Sequence, residues 1–468
     1  MPFLLPDTPI ASLDEYVEHW SGGQGIARAD ELGPDGVIDE LERSGLRGRG
    51  GAGFPTGRKW RSVHAGGSSS SSGEEVGDRW VVANGAEGEP GTFKDRALMA
   101  RNPYQVIEGI EIAARTIGAV GGYVAVKASF EQQIEALTRA LEEMAGAGMV
   151  GTAPLTLVTG PDEYLFGEEK GLLEVIEGED PLPRLFPPYL YGLFTASPQV
   201  GWSAHEDRST DGVEVPSANP TLVNNAETLA NVVPILVRGA DWHTSLGTTR
   251  SPGVVICTVV GDTRRAGVAE VELGTPLGDV LVQLGGGMPT GRRVQAVLSG
   301  VANGVLTADA VDTPMTYEDL EAAGGGLGAA GFIVYDDTAD MIAVAHAISR
   351  FLYVESCGQC PPCKIGTGAI TDRLECVLAG DATMHDIEVL TASLGTVADA
   401  NRCYLPVQEQ LVVRSILDRF SDQLESHLEG RAAAPREIVV PKLLDIVDGV
   451  AVIDERQALK RPDWTYAA

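Results

Sequence analysis

The first half of the chain alternates between two hydrophobic spacings. Short apolar runs typical of strands occur at Arg79–Ala83, Tyr123–Lys127 and Leu155–Thr159. The spacing of amphipathic helices predicts further elements at Ser12–Trp20, Gly36–Ser44, Leu98–Ile117, Phe130–Ala145 and Glu168–Ile176. Strands separated by helices form mainly parallel sheets that are covered on both faces. This half therefore predicts an α/β domain.

The pattern changes near Ser251. Short strands at Val254–Val260, Val268–Leu273 and Val294–Leu298, with a helix at Pro276–Leu284, predict a small mixed β domain. Beyond Thr338, four helical stretches predict a small bundle: Ala339–Val354, Ile365–Leu378, His385–Ala400 and Gln408–Leu428. The β-prone segment Glu437–Asp454 predicts an appended hairpin. Two stretches have no core-forming pattern and are predicted to be loops, Ser68–Ser72 and Phe194–Pro220.

Composition and charge narrow the class of protein. The chain has 468 residues, 44% of them hydrophobic, which is ample for several packed domains. Its 66 acidic residues against 35 Lys and Arg give a formal charge of −31, which disfavours nucleic acid as a partner. No apolar run approaches the roughly 18 residues of a membrane span, and the start of the chain lacks the basic residues of a secretory signal. We expect a cytoplasmic protein without direct membrane insertion.

The cysteines carry the strongest chemical signal. Cys357, Cys360 and Cys363 are separated by two residues each, and Cys403 follows after a helical pattern. One tight turn can present three thiolates to a compact inorganic core, with the fourth supplied from a distance. This spacing favours a [4Fe–4S] cluster over zinc, which is usually bound by two separated pairs. Cys257 and Cys376 stand alone and are interpreted as ordinary core residues, so the sequence predicts a single cluster.

A glycine-rich loop lies in an unusually basic stretch. Gly48, Gly50 and Gly53 match the spacing G-x-G-x-x-G, but a helical pattern precedes them, which disfavours an ordinary dinucleotide fingerprint. The surrounding stretch contains no acid and six cations: Arg43, Arg47, Arg49, Arg58, Lys59 and Arg61. Exposed backbone N–H groups and fixed cations would hold a phosphate. The alternative is a flexible turn with solvated charges.

Two acidic stretches follow predicted strands, where ligands of parallel sheets bind. One runs from Asn84 to Gly91 and the other from Tyr164 to Glu169. Glu168 and Glu169 could instead cap the helix that follows them, because a carboxylate stabilises a helix N-terminus.

Five motifs together resemble the flavin-bearing, NADH-oxidising subunit of respiratory complex I and the related subunits of soluble NAD-linked hydrogenases and formate dehydrogenases. They are GLRGRGGAGFPTGRKW, NGAEGEPGTFKDR, YLFGEEKGLLEVIEG, VNNAETLANVVP and ESCGQCPPC. The resemblance implies a Rossmann-like flavin domain, a ubiquitin-like β-grasp domain and a helical bundle with one [4Fe–4S] cluster. We therefore expect an FMN/NADH-binding α/β domain with its N-terminal segment at 1–250, a β-grasp domain at 251–332, a helical cluster domain at 333–433 and a C-terminal extension at 434–468.

The resemblance also implies sites for FMN, NAD(H) and the cluster. The phosphate and ribityl chain of FMN are expected at Gly48, Arg49, Gly50 and Lys59. The rest of the flavin is expected at Asn84, Glu87, Gly167, Asn224, Asn225 and Thr228. The dinucleotide would face Phe54, Glu89, Tyr164, Glu168 and Glu169, of which Glu89 and Glu169 are assigned to the catalytic centre. The cluster ligands would be Cys357, Cys360, Cys363 and Cys403.

The implied function is electron transfer between NAD(H) and a partner protein. FMN exchanges electrons with a hydride donor in pairs and with a cluster singly, and the protein tunes and orients it. The expected partners are a small [2Fe–2S] thioredoxin-like subunit and a larger redox assembly, through which the protein could be peripheral to a membrane. Three departures from the family pattern lie on the dinucleotide side: Ala86 replaces an aspartate, Phe186 a lysine and Ser62 an aromatic residue. They motivate an alternative function, a flavin and iron–sulfur adaptor that receives electrons from another protein and does not bind NAD(H).

Overall fold

The computed structural model describes residues 3–66, 77–195 and 219–467. The predicted loop Ser68–Ser72 and most of the predicted loop Phe194–Pro220 lie outside these ranges. The chain divides into two compact units. The first comprises Met1–Gly88, Lys94–Ile256 and Glu270–Leu273, and the second comprises Glu89–Phe93, Cys257–Ala269 and Gly274–Ala468.

The first unit is an α/β structure around one parallel sheet. Its strands are β1 (Trp80–Asn84), β2 (Gly121–Lys127), β3 (Leu155–Gly160) and β4 (Thr221–Asn225). Its helices are α1 (Leu13–His19), α2 (Gln24–Ser44), α3 (Thr56–Gly66), α4 (Lys94–Arg101), α5 (Pro103–Ile117), α6 (Glu131–Gly146), α7 (Glu169–Ile176), α8 (Ala226–Arg238) and α9 (Ala240–Thr244). The predicted strands of this half and four of its five predicted helices are present, and the parallel α/β architecture expected for a Rossmann-like domain is confirmed.

The strand order gives this sheet a crevice at one end. The strands are arranged β3-β2-β1-β4, and every pairing is parallel. After β1 the chain builds the sheet to one side through β2 and β3, then returns to add β4 on the other side of β1. Ligands of open α/β sheets bind where the strand order reverses in this way, at the carboxyl ends of the strands. Here that point lies between β1 and β4.

Several elements of the first unit differ from the sequence-based predictions. The predicted helix Leu98–Ile117 is wrong as a single element, because Asn102 caps α5 through its side chain and Pro103 begins that helix. A proline fixes its own φ, lacks an N–H and pushes the preceding residue out of helical geometry, so the helix breaks there. Helix α2 begins earlier than predicted and changes direction at Gly33, whose φ is 69°. The strand β4 and the helices α3, α8 and α9 were not predicted.

The second unit contains a mixed sheet, a hairpin and a set of helices. The sheet is arranged β6-β5-β9-β7-β8, with β5 and β9 parallel and β7 antiparallel to both β9 and β8. Its strands are β5 (Val254–Gly261), β6 (Gly267–Glu272), β7 (Val294–Ser299), β8 (Leu306–Thr307) and β9 (Gly331–Asp336). The short helices α10 (Leu277–Gly285) and α11 (Tyr317–Ala322) belong to the same region. Strands β8 and β9 and helix α11 were not predicted.

Five helices follow the mixed sheet: α12 (Met341–Glu355), α13 (Pro361–Ala379), α14 (Met384–Thr396), α15 (Leu405–Arg419) and α16 (Ser421–Leu428). The prediction of one helix over Gln408–Leu428 is wrong, because the backbone of Phe420 leaves helical geometry (φ −119°, ψ 37°) between α15 and α16. The predicted terminal hairpin is present as β10 (Leu443–Val447) paired with β11 (Val450–Ile453). No helix in the described residues is both long and apolar enough to cross a membrane.

Candidate functional site

Asparagine side chains stand at the carboxyl ends of β1 and β4. Asn84 donates from its Nδ2 to the carbonyl of Gly167 at 2.8 Å and accepts at its Oδ1 from the N–H of Ala86 at 3.1 Å. On the neighbouring strand, the Oδ1 of Asn224 accepts from the indole N–H of the fully buried Trp60 at 2.8 Å. These bonds tie the strand ends to the loops and to helix α3. The crevice at the reversal of strand order is therefore lined by polar groups in a defined arrangement.

The glycine-rich loop is held against this crevice. The N–H of Gly48 donates to the carbonyl of Phe54 at 2.8 Å, which closes the loop. The N–H of Arg49 donates to the hydroxyl of Thr228 at 2.8 Å, and the guanidinium of Arg49 donates to the carbonyl of Val254 at 2.8 Å. Only 2% of Arg49 is exposed. These contacts argue against the flexible turn with solvated charges that was the alternative interpretation.

The basic residues around the loop have divided roles. Arg61 pairs with acids of helix α2, Asp39 at 2.7 Å and Glu42 at 2.8 Å. Arg43 likewise pairs with Glu40 of the same helix at 2.9 Å. The prediction that all six cations of the basic stretch hold a phosphate is therefore too broad, because these two guanidinium groups pair with acids of α2.

Lys59 and Glu169 form an ion pair across the mouth of the crevice. The distance between Lys59 Nζ and Glu169 Oε2 is 2.9 Å, with 19% and 36% of the side chains exposed. The two residues were assigned to different ligands, the flavin phosphate and the dinucleotide. Their pairing joins α3 to the start of α7. A half-exposed pair of this kind is weak enough for an anionic ligand to displace the carboxylate.

Glu168 acts as the cap of α7. Its Oε2 accepts from the N–H groups of Lys170 at 2.8 Å and Gly171 at 3.0 Å. Burial, with a smaller contribution from Glu169, raises the pKa of Glu168 to about 7, although Lys170 and the two backbone bonds oppose the shift. The capping role considered for this carboxylate is present, and it does not exclude contact with a ligand.

Glycines bring the turn before α7 close to the turn after β1. A β-carbon placed on Gly167 would lie 2.8 Å from the carbonyl oxygen of Ala86, which is too close for any other residue. A β-carbon on Gly50 would lie 3.3 Å from the β-carbon of Asn225. Close approach at these glycines brings backbone groups, the asparagines at the strand ends and Lys59 into one region of the first unit. These groups fit the phosphate, ribityl chain and ring edge of a flavin mononucleotide.

A buried charge network lies behind Asn225, and sequence reasoning missed most of it. Lys94, 1% exposed, is 2.8 Å from Asp95, 2.9 Å from Glu227 and 3.3 Å from the Oδ1 of Asn225. Asp95 in turn accepts from the Nδ2 of Asn225 at 2.8 Å. Burial would lower the pKa of Lys94, but Asp95 and Glu227 outweigh it and the pKa lies above its usual value. The amide of Asn225 is therefore held in one orientation by charges of both signs.

Glu87, assigned to the flavin, lies beside this network. Its Oε2 accepts from the Nε of Arg96 at 2.8 Å, and its Oε1 accepts from the N–H of Asp95 at 3.2 Å. Burial alone would raise the pKa of Glu87, but Arg96 and Lys94 hold it below its usual range. The side chain is thus a buried carboxylate that supports the turn after β1.

The remaining residues assigned to the dinucleotide are spread more widely. Glu89 belongs to the second unit, where its Oε1 accepts from the N–H of Val301 at 2.6 Å. In the first unit, 53% of Phe54 is exposed and Tyr164 is half-buried at the start of a short 3₁₀ turn. The ring of Phe186, at the position of the expected lysine, packs 4.8 Å from the ring of Tyr191.

The cysteine motif begins helix α13. Cys360 is the N-cap, two prolines follow it, and Cys363 completes the first turn with 6% of its surface exposed. All six cysteines are free thiols. Within the described ranges, no three His, Cys, Asp or Glu side chains are arranged to hold a metal ion, so the four ligand assignments stay a prediction. Cys257 lies in β5 as predicted and is fully buried, with its sulfur 3.4 Å from that of Met315.

The surroundings of the thiols suit a metal cluster that binds them as thiolates. Burial raises the pKa of Cys363 to about 12, and the neighbouring Cys357 and Cys360 add to the shift. Thiols in such a place ionise only when a cation compensates them, which is the condition that an iron–sulfur core meets. The amide end of α13 also favours negative charge at its first turn. The chemistry of this donor set, thiols on a tight turn and a helix start, fits a [4Fe–4S] cluster.

Comparison with known proteins identifies the family. Residues 41–234 match the family model of the Nuo51 FMN-binding domain, and residues 343–427 match that of the NADH-ubiquinone oxidoreductase-F iron-sulfur binding region. The F 2 subunit of the NADH-quinone oxidoreductase of Rhizobium meliloti is 33% identical over 437 residues, which cover 91% of this chain and 96% of that protein. The chain belongs to the family of NADH-quinone oxidoreductase F subunits.

Other members of this family and its solved structures extend the comparison. The HndC subunit of the NADP-reducing hydrogenase of Solidesulfovibrio fructosivorans is 31% identical over 429 residues, covering 90% of this chain and 81% of that protein. The crystal structure of an NAD+-reducing [NiFe]-hydrogenase in the air-oxidized state matches with a TM-score of 0.73 and 31% identity, over 92% of this chain and 68% of that chain. The resemblance inferred from five motifs is thus confirmed.

Membership of this family gives the two sites their cofactors. The FMN-binding domain contains the glycine loop and the asparagines of the crevice, and the iron-sulfur region contains all four clustered cysteines. The chain is therefore an oxidoreductase subunit that binds FMN and a [4Fe–4S] cluster. Residues 428–468 lie beyond both matched regions.

Proposed function

We propose that this chain exchanges hydride electrons with NAD(H) at FMN and passes them one at a time through its [4Fe–4S] cluster to a partner subunit. The observation that carries the proposal is the presence, in one chain, of an FMN-binding domain and a 4Fe–4S region of this oxidoreductase family. When bound, FMN supplies the conversion between two-electron and one-electron chemistry. The side chains of the protein then bind and orient the cofactor, and they exclude water from it.

We assign the flavin to the crevice between β1 and β4. The glycine loop at Gly48, Arg49 and Gly50 and the ammonium of Lys59 would hold its phosphate end. The remaining contacts would come from Asn84, Glu87, Gly167, Asn224, Asn225 and Thr228. Support comes from the bonds that hold Arg49 to Thr228 and Asn224 to Trp60, because a site that is rigid before binding loses less entropy when the ligand arrives.

The dinucleotide would bind over the same crevice, at Phe54, Tyr164, Glu168 and Glu169. Glu89, in the second unit, is assigned to the dinucleotide on the sequence motif alone. In this proposal Glu169 releases Lys59 when a phosphate binds, and is then available to a hydroxyl of the dinucleotide. The weak, half-exposed ion pair between the two residues supports such an exchange. Glu89 and Glu169 are the two carboxylates assigned to the catalytic centre.

The cluster would be held by Cys357, Cys360, Cys363 and Cys403. The turn before α13 and the first turn of that helix supply the first three thiolates. The fourth comes from the turn before α15, where the side-chain amide of Asn401 donates to the carbonyl of Cys403 at 2.7 Å. The absence of disulfides among all six cysteines supports the assignment of four of them to a metal centre.

We further propose the domain boundaries 1–250, 251–332, 333–433 and 434–468. The mixed sheet β6-β5-β9-β7-β8 with α10 supports a β-grasp domain, since that fold packs a helix on a mixed sheet. The packing of α12 against α13 and α15 supports a helical bundle around the cysteines. A small [2Fe–2S] thioredoxin-like subunit is the proposed electron partner within a larger redox assembly, in the cytoplasm or at a membrane through other subunits.

The proposal is tested on the anaerobically purified chain with FMN and cluster bound. Addition of NADH should bleach the flavin absorbance within the mixing time of a stopped-flow instrument. Lys59→Met should retain less FMN than the wild type, whereas Arg58→Met, which alters an exposed neighbour on the same helix, should retain as much. A flavin spectrum that does not respond to NADH or NADPH contradicts the proposal.

That negative result would favour the adaptor that receives its electrons from another protein. Two observations support this second function. Ala86 is fully buried and offers no carboxylate, and Phe186 packs on Tyr191 at the position of the expected lysine. Reduction of the flavin by a protein donor, with none by NADH or NADPH, would establish the adaptor.

A further inference from the structure

The C-terminal segment is anchored by an ion pair that is wholly buried. The ammonium of Lys460 lies 2.9 Å and 3.0 Å from the two carboxylate oxygens of Glu355, and neither side chain is exposed. The side-chain amide of Gln457 donates to the same carboxylate at 2.9 Å. Glu355 is the last residue of α12 and stands two positions before Cys357. The end of the chain is therefore fastened directly beside the cysteine motif.

A second anchor lies on the other side of the motif. The ammonium of Lys364, the residue after Cys363, donates to the carbonyls of Pro462 at 2.6 Å, Ser356 at 2.7 Å and Tyr353 at 3.1 Å. An ammonium has three N–H groups, and three carbonyls receive them. This lysine thus joins the C-terminal segment, the loop of the cysteines and the end of α12.

The segment is folded rather than frayed. A 3₁₀ turn at Glu455–Leu459 is capped by Asp454, whose side chain accepts from the N–H of Arg456. Beyond it the chain doubles back, with the N–H of Arg461 bonded to the carbonyl of Thr465 at 2.7 Å. The segment therefore has a defined structure, and it is bonded to residues on both sides of the cysteine motif.

A buried ion pair is a costly way to gain stability alone. Removing two charges from water offsets much of their attraction, so apolar side chains would hold a terminus equally well. What the pair adds is a single geometry, because both carboxylate oxygens and the ammonium are satisfied in only one arrangement. Lys460 lies outside both matched family regions. Glu355 lies inside the iron-sulfur region, two positions before the proposed ligand Cys357.

We infer that residues 454–466 form a clasp that positions the Cys357–Cys363 loop and protects the bound cluster from solvent and oxidants. The inference rests on the proposed cluster ligands. Lys460 is a positioning residue that acts through Glu355. Opening the clasp should leave FMN binding intact and make the cluster labile.

The test compares Lys460→Met with Arg461→Met in the full chain loaded with FMN and cluster. Methionine keeps the length of the buried side chain without its charge, and Arg461 is an exposed neighbour that serves as control. After transfer to air, the cluster absorbance of Lys460→Met should decay about tenfold or more faster than that of the wild type, as changes next to metal ligands weaken sites by this order. FMN content and the decay rate of Arg461→Met should be unchanged. Equal decay in all three proteins overturns the clasp.

A second measurement needs no variant and covers the case in which Lys460→Met does not fold. Hydrogen exchange of the wild-type chain is followed before and after the cluster is removed by a chelator under reducing conditions. The amides of residues 454–466 should lose protection together with those of the cysteine loop. Unchanged protection of the segment overturns the inference. Failure of the proposed function is a separate result, since a wild-type chain purified without iron shows that the ligand assignment is at fault.

Discussion

Asn84 and Asn225 are register partners at the carboxyl ends of β1 and β4. Asn84 bonds the turn that carries Gly167, while Asn225 caps α8 through a bond from the N–H of Glu227 at 3.0 Å. The chain adds β2 on one side of β1 and later β4 on the other side, so the strand order reverses between the two asparagines. The crevice assigned to FMN is therefore a consequence of strand order, and the asparagines give it polar walls.

The bond between Arg49 and Thr228 should control how well the glycine loop binds FMN. Thr228→Val keeps the shape of the side chain and removes the acceptor of the Arg49 N–H. An unpaired buried N–H costs about 1–3 kcal/mol. We expect a lower unfolding midpoint and a correspondingly weaker FMN affinity, measured by urea unfolding and flavin fluorescence. Thr228→Ser, which retains the hydroxyl, should behave as the wild type, and equal loss in both variants would contradict this role.

Lys94 should be essential to the stability of the first unit. Lys94→Met leaves the buried carboxylates of Asp95 and Glu227 without their cation. Breaking a buried ion pair from one side costs about 3–5 kcal/mol. We expect a large fall in thermal unfolding temperature of the FMN-free chain, measured by calorimetry. Addition of Glu227→Gln to the variant should recover part of the loss, because it removes one of the uncompensated charges.

The glycine loop and the buried charge network around Lys94 differ in how much of each the sequence predicts. The glycine loop is visible because glycines and cations cluster locally, and β1 to β3 are visible because their apolar runs are short and bounded. Lys94 and Glu227 come together only in the folded chain. In the sequence each has the pattern of a charged residue on the exposed face of a helix. The same limit applies to Arg43 and Arg61, because the sequence does not show whether their charges pair with acids of α2 or with a phosphate.

Element boundaries follow a similar rule. The break between α4 and α5 could have been predicted, because the pair Asn102 and Pro103 is a helix-start signal. The break at Phe420 could not, because no proline or glycine marks it and the backbone change depends on packing. Lys460 and Glu355 form the clearest case of a relationship that periodicity cannot show, since one lies near the end of the chain and the other in a helix.

Glu409 should make stability depend on pH. The carboxyl is fully buried, and its Oε1 accepts from the hydroxyl of Ser349 at 2.6 Å. Within the described residues its Oε2 has no hydrogen-bond partner. Burial, opposed only by the Ser349 bond, raises the pKa of Glu409 to about 8. The folded chain therefore holds this proton more tightly than the unfolded chain does.

The sign of the effect follows from that difference. The stabilisation is fully present below the pKa of an unfolded glutamate and is lost as the pH rises through about 8. The loss is on the order of 5 kcal/mol, since one pKa unit corresponds to about 1.4 kcal/mol. Glu409→Gln imitates the neutral acid. In urea unfolding from pH 5 to pH 9 it should lose less stability than the wild type, and parallel curves for the two proteins would contradict the buried neutral carboxyl.

Cys360 should be required for the cluster and not for the flavin. Cys360→Ser removes one proposed thiolate ligand from the N-cap of α13, where the pair of prolines that follows leaves little freedom to recruit another group. We expect loss of the broad iron–sulfur absorbance and of iron, with FMN content retained, because the flavin crevice is built from other residues. Cys376→Ser is the matched control: it alters a half-buried cysteine further along the same helix and should keep its iron. Four irons per chain in Cys360→Ser would show that the ligand set has been assigned wrongly, whereas loss of iron in both variants would point to disruption of α13 itself.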